Sequence, residues 1–116
     1  MTEHVLTSPA AIPTVAVWLN LLVLAPVLEE VVFRAGLQQA LHERGWPAPM
    51  AIGLSALVFA GAHLLLRGAD WLMAATVLPA WIVGWVYARW RRLWPCITLH
   101  AVFNLAWGLR PSGEFF

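Results

Sequence analysis

The chain has 116 residues, of which 61% are hydrophobic and 11% charged, with a formal net charge of +1 at pH 7. A domain of this length has too little interior to hide so much apolar surface from water, which excludes a soluble globule, and a disordered chain would be far more polar. No basic field exists to hold phosphates, so nucleic acid is excluded as a partner; the composition is that of an integral membrane protein embedded in the lipid bilayer.

Residues 1–10, MTEHVLTSPA, form a short polar N-terminal segment. It carries Glu3 and His4 but no Lys or Arg, a poor n-region for a cleavable signal peptide, so the first apolar segment is expected to stay in the mature protein. That segment runs from Ala11 to Leu28 and continues through a charged patch and VVFRAGLQQAL to about Arg44. Gly45, Trp46 and Pro47 signal a turn. A second segment covers 49–66, a polar connection 67–70, a third segment 71–88, a basic turn 89–92, a fourth segment 93–109 and a tail 110–116. A membrane-spanning helix needs about 20 mostly apolar residues. The pattern predicts an all-α fold: one domain over 11–109, a four-helix transmembrane core in a multi-pass protein of the cell membrane.

Tryptophan agrees with these limits, since Trp46, Trp71, Trp90 and Trp94 fall at helix ends, where amphipathic rings favour the headgroup zone. Pro47, Pro49 and Pro95 stand near helix starts, where a missing N–H costs little. Pro26 and Pro79 stand within helices and are expected to kink them, each freeing the carbonyl four residues earlier. Arg44, Arg89, Arg91 and Arg92 flank one set of turns, whereas Arg67 and Arg110 flank the other. By the positive-inside rule both termini are expected outside. The single cysteine, Cys96, leaves no disulfide framework or thiolate metal cluster.

Most of the information lies in polar residues inside apolar segments. Glu29 and Glu30 are adjacent and Arg34 follows Glu30 by four; His63 follows Phe59 by four, and His100 and Asn104 are four apart. Ionisable groups at membrane depth cost a few kcal/mol each, roughly, and something must offset that cost. Counting outward from the turns puts Glu30 opposite His63, with Glu29, Asn104 and His100 within about one helical turn of that level. Glu30 and Arg34 share a helix face and can pair. Glu29 points about 100° away and stays available. A carboxylate beside an imidazole in a dry pocket can hold a water and take its proton, while His100 and Asn104 can donate to a developing oxyanion. Together these groups describe amide hydrolysis. Phe59 and Phe103 are expected to pack.

Glu29-Glu30-x-x-x-Arg34, Phe59-x-x-x-His63 and His100-x-x-x-Asn104, in that order on successive apolar helices, resemble the motifs of the CPBP family. This is the CAAX-protease and bacteriocin-processing (Abi-type) group of glutamic intramembrane proteases. APVLEEVVFRAG, SALVFAGAH and GWVYARWRRLWPCITLHAVFN resemble the family's text around those motifs, and the similarity covers roughly residues 20–108. The resemblance implies that Glu29 and His63 activate the water, His100 and Asn104 form the oxyanion site, and Glu30 and Arg34 support them, with no metal cofactor. The substrate would be a membrane-associated protein or peptide cut near its C-terminus, by CAAX-type or sorting-tail processing. Ala35 stands where the family often has glycine, and the chain is shorter than most members, which carry further helices.

Three other readings use the same residues. Glu29, His63 and His100 form a plausible zinc ligand set, although H-E-x-x-H is absent and Asn104 suits an oxyanion donor better than a zinc ligand. A binding or immunity protein could keep the fold without proteolysis. An ion or proton pathway could use the buried Glu and His residues, but four short helices leave little room for gated transport. The depth count sets the polar layer nearer the 67–70 turn, on the face expected outside, which suits sorting-tail cleavage better than a cytoplasmic reaction.

Overall fold

A computed structural model describes residues 14–111. The polar N-terminal segment, the expected helix start at 11–13 and most of the tail lie outside the described residues. Within them the chain forms four helices and no strand: α1 (Val15–Glu43), α2 (Ala48–Arg67), α3 (Trp71–Trp90) and α4 (Leu93–Gly108). The first three are long and apolar enough to cross a membrane, with mean hydropathies of 1.9, 1.8 and 1.5 over their most apolar stretches. α4 has 16 residues, or about 24 Å of helix, somewhat less than the ~30 Å of a hydrocarbon core. Leucines, valines and tryptophans cover the outer surface, Leu65 and Leu66 among the most exposed. Lipid, not water, is the solvent that tolerates such a surface.

The two internal prolines act on their helices in different ways. Thr14 caps α1, its hydroxyl accepting from Val17 N at 3.3 Å. The helix widens to a π turn at Asn20–Leu24, where Ala25 N–H donates to Asn20 O, five residues back. Pro26 follows with no N–H to donate, so the expected kink takes the form of this widened turn. On α3 the chain makes one turn, Trp71–Ala74, and restarts at Val77. Pro79 is then the third residue of the renewed helix, where no partner is required of it, and the Ala75 carbonyl accepts from Leu78 N at 3.1 Å instead. The continuous segment expected from 71 is therefore broken at Ala75–Thr76.

A second π stretch, Val31–Gln38, contains no proline and was not foreseeable from one. Its effect is on facing. In an α-helix, residues four apart drift by about 40° per step; a wider turn rotates the chain less per residue. The drift is offset, and Pro26, Glu30, Arg34 and Gln38 all remain on the buried face of α1. π turns recur at functional sites, and this one begins directly after the paired glutamates.

Small side chains bring the helices close. α2, which buries Ala51, Ser55, Ala56 and Ala60, packs on α3, which buries Ala80 and Gly84; Ala56 and Ala80 share one core cluster, and Ile52 lies beside Gly84. α4 then packs between α3 and the first half of α1. Small-xxx-small spacing such as Ala80-x-x-x-Gly84 is how helices approach one another in lipid, where apolar area gives no net drive. Gly84 and Gly108 sit at two close contacts: a Cβ on the first would lie 2.9 Å from Ile52 Cγ2, and on the second 2.8 Å from the Trp18 ring.

Candidate active site

Glu30 sits at the centre of a buried polar cluster, 1% exposed. Its Oε2 accepts from His100 Nδ1 at 2.7 Å and from Arg34 Nη1 at 3.4 Å. Arg34 Nε lies 3.3 Å from Glu30 Oε1, a charge contact without hydrogen-bond geometry. Arg34 Nη2 donates to the Ala80 carbonyl, and one turn on Gln38 Nε2 donates to the Gly84 carbonyl at 2.9 Å. The donors reach the α3 backbone because Ala80 and Gly84 have almost no side chain to block them. α1 is thus fastened to α3 at two successive turns, and His100 of α4 is fastened to α1.

Glu29, one residue earlier, faces elsewhere. Its Oε1 lies 3.7 Å from His63 Nε2 and 3.6 Å from His100 Nε2. Those separations allow attraction but exceed hydrogen-bonding distance, and Oε1 is buried with no hydrogen-bond partner. His63 Nδ1 lies 2.9 Å from Phe59 O; a carbonyl only accepts, so Nδ1 carries the proton and Nε2 is the nitrogen turned to Glu29. Phe59 shapes this side. Its ring lies 4.3 Å from that of His63 and 5.8 Å from that of His100, with the Arg34 guanidinium 5.6 Å above it. The side chain expected to pack is also a wall between the two imidazoles.

Asn104 is positioned by the widened turn of α1. Ala25 N–H is spent on Asn20 O, and Pro26 has none, so the Leu21 carbonyl has no helical donor at either spacing. Asn104 Nδ2 donates to it at 2.8 Å. One amide proton and the amide oxygen are then left for the cavity. Two small cavities meet here, of about 80 and 70 Å³, and His63, Thr76 and Asn104 line both. Glu29 borders the first; Glu30, Arg34 and His100 border the second. Each has room for a few waters, since one requires about 10–15 Å³ on this measure.

All six residues singled out in the sequence therefore lie around these two cavities, with Glu30–Arg34 paired as the spacing suggests. The structure adds three that the sequence reading passed over. Gln38, fully buried, continues the four-residue polar series Glu30, Arg34 in an otherwise apolar helix, and that series was the available signal. Thr76 enters through the α3 break, which a threonine three residues before a proline marks only faintly. Arg67 lines the first cavity, whereas its place in the sequence marks it only as a topogenic charge. Among the described residues, no group of three or more His, Cys, Asp or Glu side chains is placed to hold a metal ion, so the zinc set Glu29, His63, His100 gains no geometric support. Cys96 is buried between α3 and α4, its thiol directed at the Arg92 and Val83 carbonyls.

Fold and site together define a helical membrane protein with two carboxylates, two imidazoles and an amide around water-sized cavities. The sequence model of the type II CAAX prenyl endopeptidase Rce1-like family matches residues 11–106, and the chain belongs to this family. Membership makes it a membrane protease of the CAAX endopeptidase type. Comparison with curated proteins and with solved structures gave no match.

Proposed function

We propose that the chain is a multi-pass intramembrane endopeptidase of the cell membrane that cuts a membrane-associated protein or peptide near its C-terminus without a metal. The observation that carries this reading is the buried, unpartnered Glu29 Oε1 with two imidazole Nε2 atoms 3.6 and 3.7 Å away. The Glu29 carboxylate oxygen and the His63 Nε2 acceptor at that spacing suit a donor between them, and a water is the smallest one.

Glu29 takes a proton from that water as its oxygen bonds to the scissile carbonyl carbon, and His63 Nε2 holds the water's second proton. Negative charge then develops on the carbonyl oxygen. His100 Nε2 and the remaining Asn104 amide proton donate to it. For His100 to donate, the ring must carry protons on both nitrogens; Glu30 partners the one on Nδ1, leaving the Nε2 proton directed at the reacting atoms. Collapse of the tetrahedral intermediate breaks the C–N bond, and the proton held by Glu29 passes to the departing amine. Glu30 and Arg34 touch no reacting atom in this scheme; they hold His100 in place.

The test compares protein termini in native cells carrying the wild type with cells carrying Glu29→Gln, which keeps the shape and removes the base. Loss of a base of this kind lowers rate by about 10²–10⁴-fold. A defined set of termini is expected to vanish in the variant, and the lost sites name the substrate. Identical termini with both proteins present at equal level would refute the reading and favour a non-proteolytic binding role.

A further inference from the structure

The turn between α3 and α4 gathers cations that the candidate active site does not use. Arg89, Arg91 and Arg92 stand within one short stretch, all exposed, beside the exposed rings of Trp90 and Trp94. Trp90, Arg92, Trp94 and Pro95 line a hollow of about 410 Å³, within the ~300–1,000 Å³ of small-molecule sites. The Arg89 guanidinium lies 5.5 Å over the Trp90 ring, and Arg92 has no side-chain partner among the described residues. Arg44 stands at the same end of the bundle, because Arg91 Nη1 reaches Gln39 Oε1 near the close of α1 at 3.4 Å. Glu43 is the carboxylate of that end, and its Oε1 accepts from Gln39 Nε2 at 3.1 Å. Four guanidinium groups thus face one occupied carboxylate.

The backbone of Arg91 is a second, independent observation. Arg91 closes α3 at φ 54° and ψ 36°, the left-handed position that glycine adopts freely and a Cβ disfavours. Among the described residues it is the one non-glycine with positive φ. Its own bonds return little: Nε donates to Ala88 O and Nη1 to Gln39 Oε1, each at 3.4 Å, beyond the usual range. An arginine held at a strained position by weak bonds points to a use for its charge outside the fold. The surroundings say which anion fits. α3 ends its apolar span at Trp90, and tryptophans favour the headgroup zone, so the hollow opens at the depth of lipid phosphates. Below it, Trp81, Ile82 and Trp85 of α3 are exposed apolar surface for acyl chains. By the positive-inside rule the same arginines set this turn at the cytoplasmic leaflet, the one rich in anionic lipid. A free anion would gain nothing from the aromatic and apolar walls.

We propose that the α3–α4 turn is a binding site for an anionic phospholipid. Arg89, Arg91 and Arg92 meet its phosphodiester, Trp90 and Trp94 flank the headgroup, and the acyl chains lie along α3. The site is separate from the candidate active site, since His100 lies eight residues beyond Arg92, or about 12 Å along α4. Lipid retention therefore tests it without any reading of cleavage. The purified full chain in neutral detergent micelles is given equimolar dioleoyl phosphatidylglycerol and dioleoyl phosphatidylcholine, and native mass spectrometry counts each lipid retained. An arginine beside an anionic surface is worth about fivefold in binding, so phosphatidylglycerol is expected to lead by about twentyfold if two arginines engage it. Arg92→Gln is expected to lower that preference about fivefold. Arg91→Gly is expected to lower it similarly without lowering Tm, because glycine relieves the left-handed backbone. Arg110→Gln, which removes one charge at the other end of α4, keeps the preference. Equal retention of the two lipids by the unmutated chain overturns the proposal, as does a preference that survives the Arg91→Gly, Arg92→Gln double variant or falls as far in Arg110→Gln. Inorganic phosphate and a tetraglutamate amide serve as competitors, and neither is expected to displace the lipid. Displacement by phosphate would overturn the lipid assignment in favour of a free anion, and displacement by the peptide in favour of an acidic protein partner.

Discussion

Glu29 and Glu30 are neighbours in the chain and opposites in the fold. Glu30 is 1% exposed and is held by His100 and Arg34, within a cluster that continues through Arg34 and Gln38 to the backbone of α3. The Glu29 side chain is 23% exposed, borders a cavity, and has a shielded oxygen with no hydrogen-bond partner. One face of α1 is a polar scaffold in which Glu30, Arg34 and Gln38 each make at least one hydrogen bond, although Glu30 Oε1, Arg34 Nε and Gln38 Oε1 have none of their own; on the adjoining face the shielded Glu29 oxygen faces only two imidazoles beyond hydrogen-bonding distance. Hydrogen bonds from His100 and Arg34 hold the Glu30 carboxylate in place, whereas that of Glu29, bordering a cavity, keeps its capacity for a ligand. The comparison divides the six polar residues into a part that holds and a part that reacts.

That division is most sharply tested on the two glutamates themselves. Glu30→Gln leaves the Arg34 charge buried without its carboxylate, and breaking such a pair costs about 3–5 kcal/mol. Glu29→Gln removes a charge that no direct hydrogen bond compensates, so stability should be unchanged or slightly raised. Thermal unfolding in detergent micelles, followed by tryptophan fluorescence, should show a clear fall in Tm for the first variant and none for the second. Equal falls in Tm would dissolve the distinction between the two faces.

Asn104 joins the two parts, because one amide proton fastens α4 to the Leu21 carbonyl while the other faces the cavity. Asn104→Ala should lower the rate at which processed termini appear by about 10²–10³-fold, the usual effect of losing an oxyanion donor. Its effect on stability should be only about 1 kcal/mol for the lost bond to Leu21. A variant that loses the stability and keeps the rate would reassign Asn104 to the scaffold.

Much of this arrangement was legible because the membrane makes polar residues conspicuous. Glu29, Glu30, Arg34, His63, His100 and Asn104 stood out against an apolar background, and hairpin counting was enough to bring their depths together. The four helices followed from turn residues such as Gly45 and Gly68, which adopt φ values of 83° and 107°. Side-chain spacing could not reveal which backbone groups would be free. The π turn at Asn20–Leu24 gives Asn104 its partner, and the one at Val31–Gln38 keeps Gln38 on the buried face; both depend on how α1 packs as a whole. Arg67 was hidden for a different reason, since an arginine at a helix end is ordinarily explained by the interface alone.

The scaffold itself can be probed without touching a polar residue. A Cβ on Gly84 would lie 2.9 Å from Ile52 Cγ2 and 3.2 Å from Gln38 Oε1. Ile52 is fully buried and β-branched, so it has little freedom to yield, and Gln38 can withdraw only by loosening its bond to the Gly84 carbonyl. Gly84→Ala should therefore destabilise by about 1–3 kcal/mol, the range for overpacking a close contact. Gly53 is the control on the facing helix: nothing lies within 4 Å of a Cβ built there, and alanine favours helix over glycine by about 1 kcal/mol. Gly53→Ala should leave Tm unchanged or raise it. If the clamp orients His100 through Arg34 and Glu30, Gly84→Ala should also slow processing at temperatures well below its own Tm, whereas Gly53→Ala should not. A Gly84→Ala protein that unfolds earlier yet processes at the wild-type rate would show that the α1–α3 clamp serves stability alone.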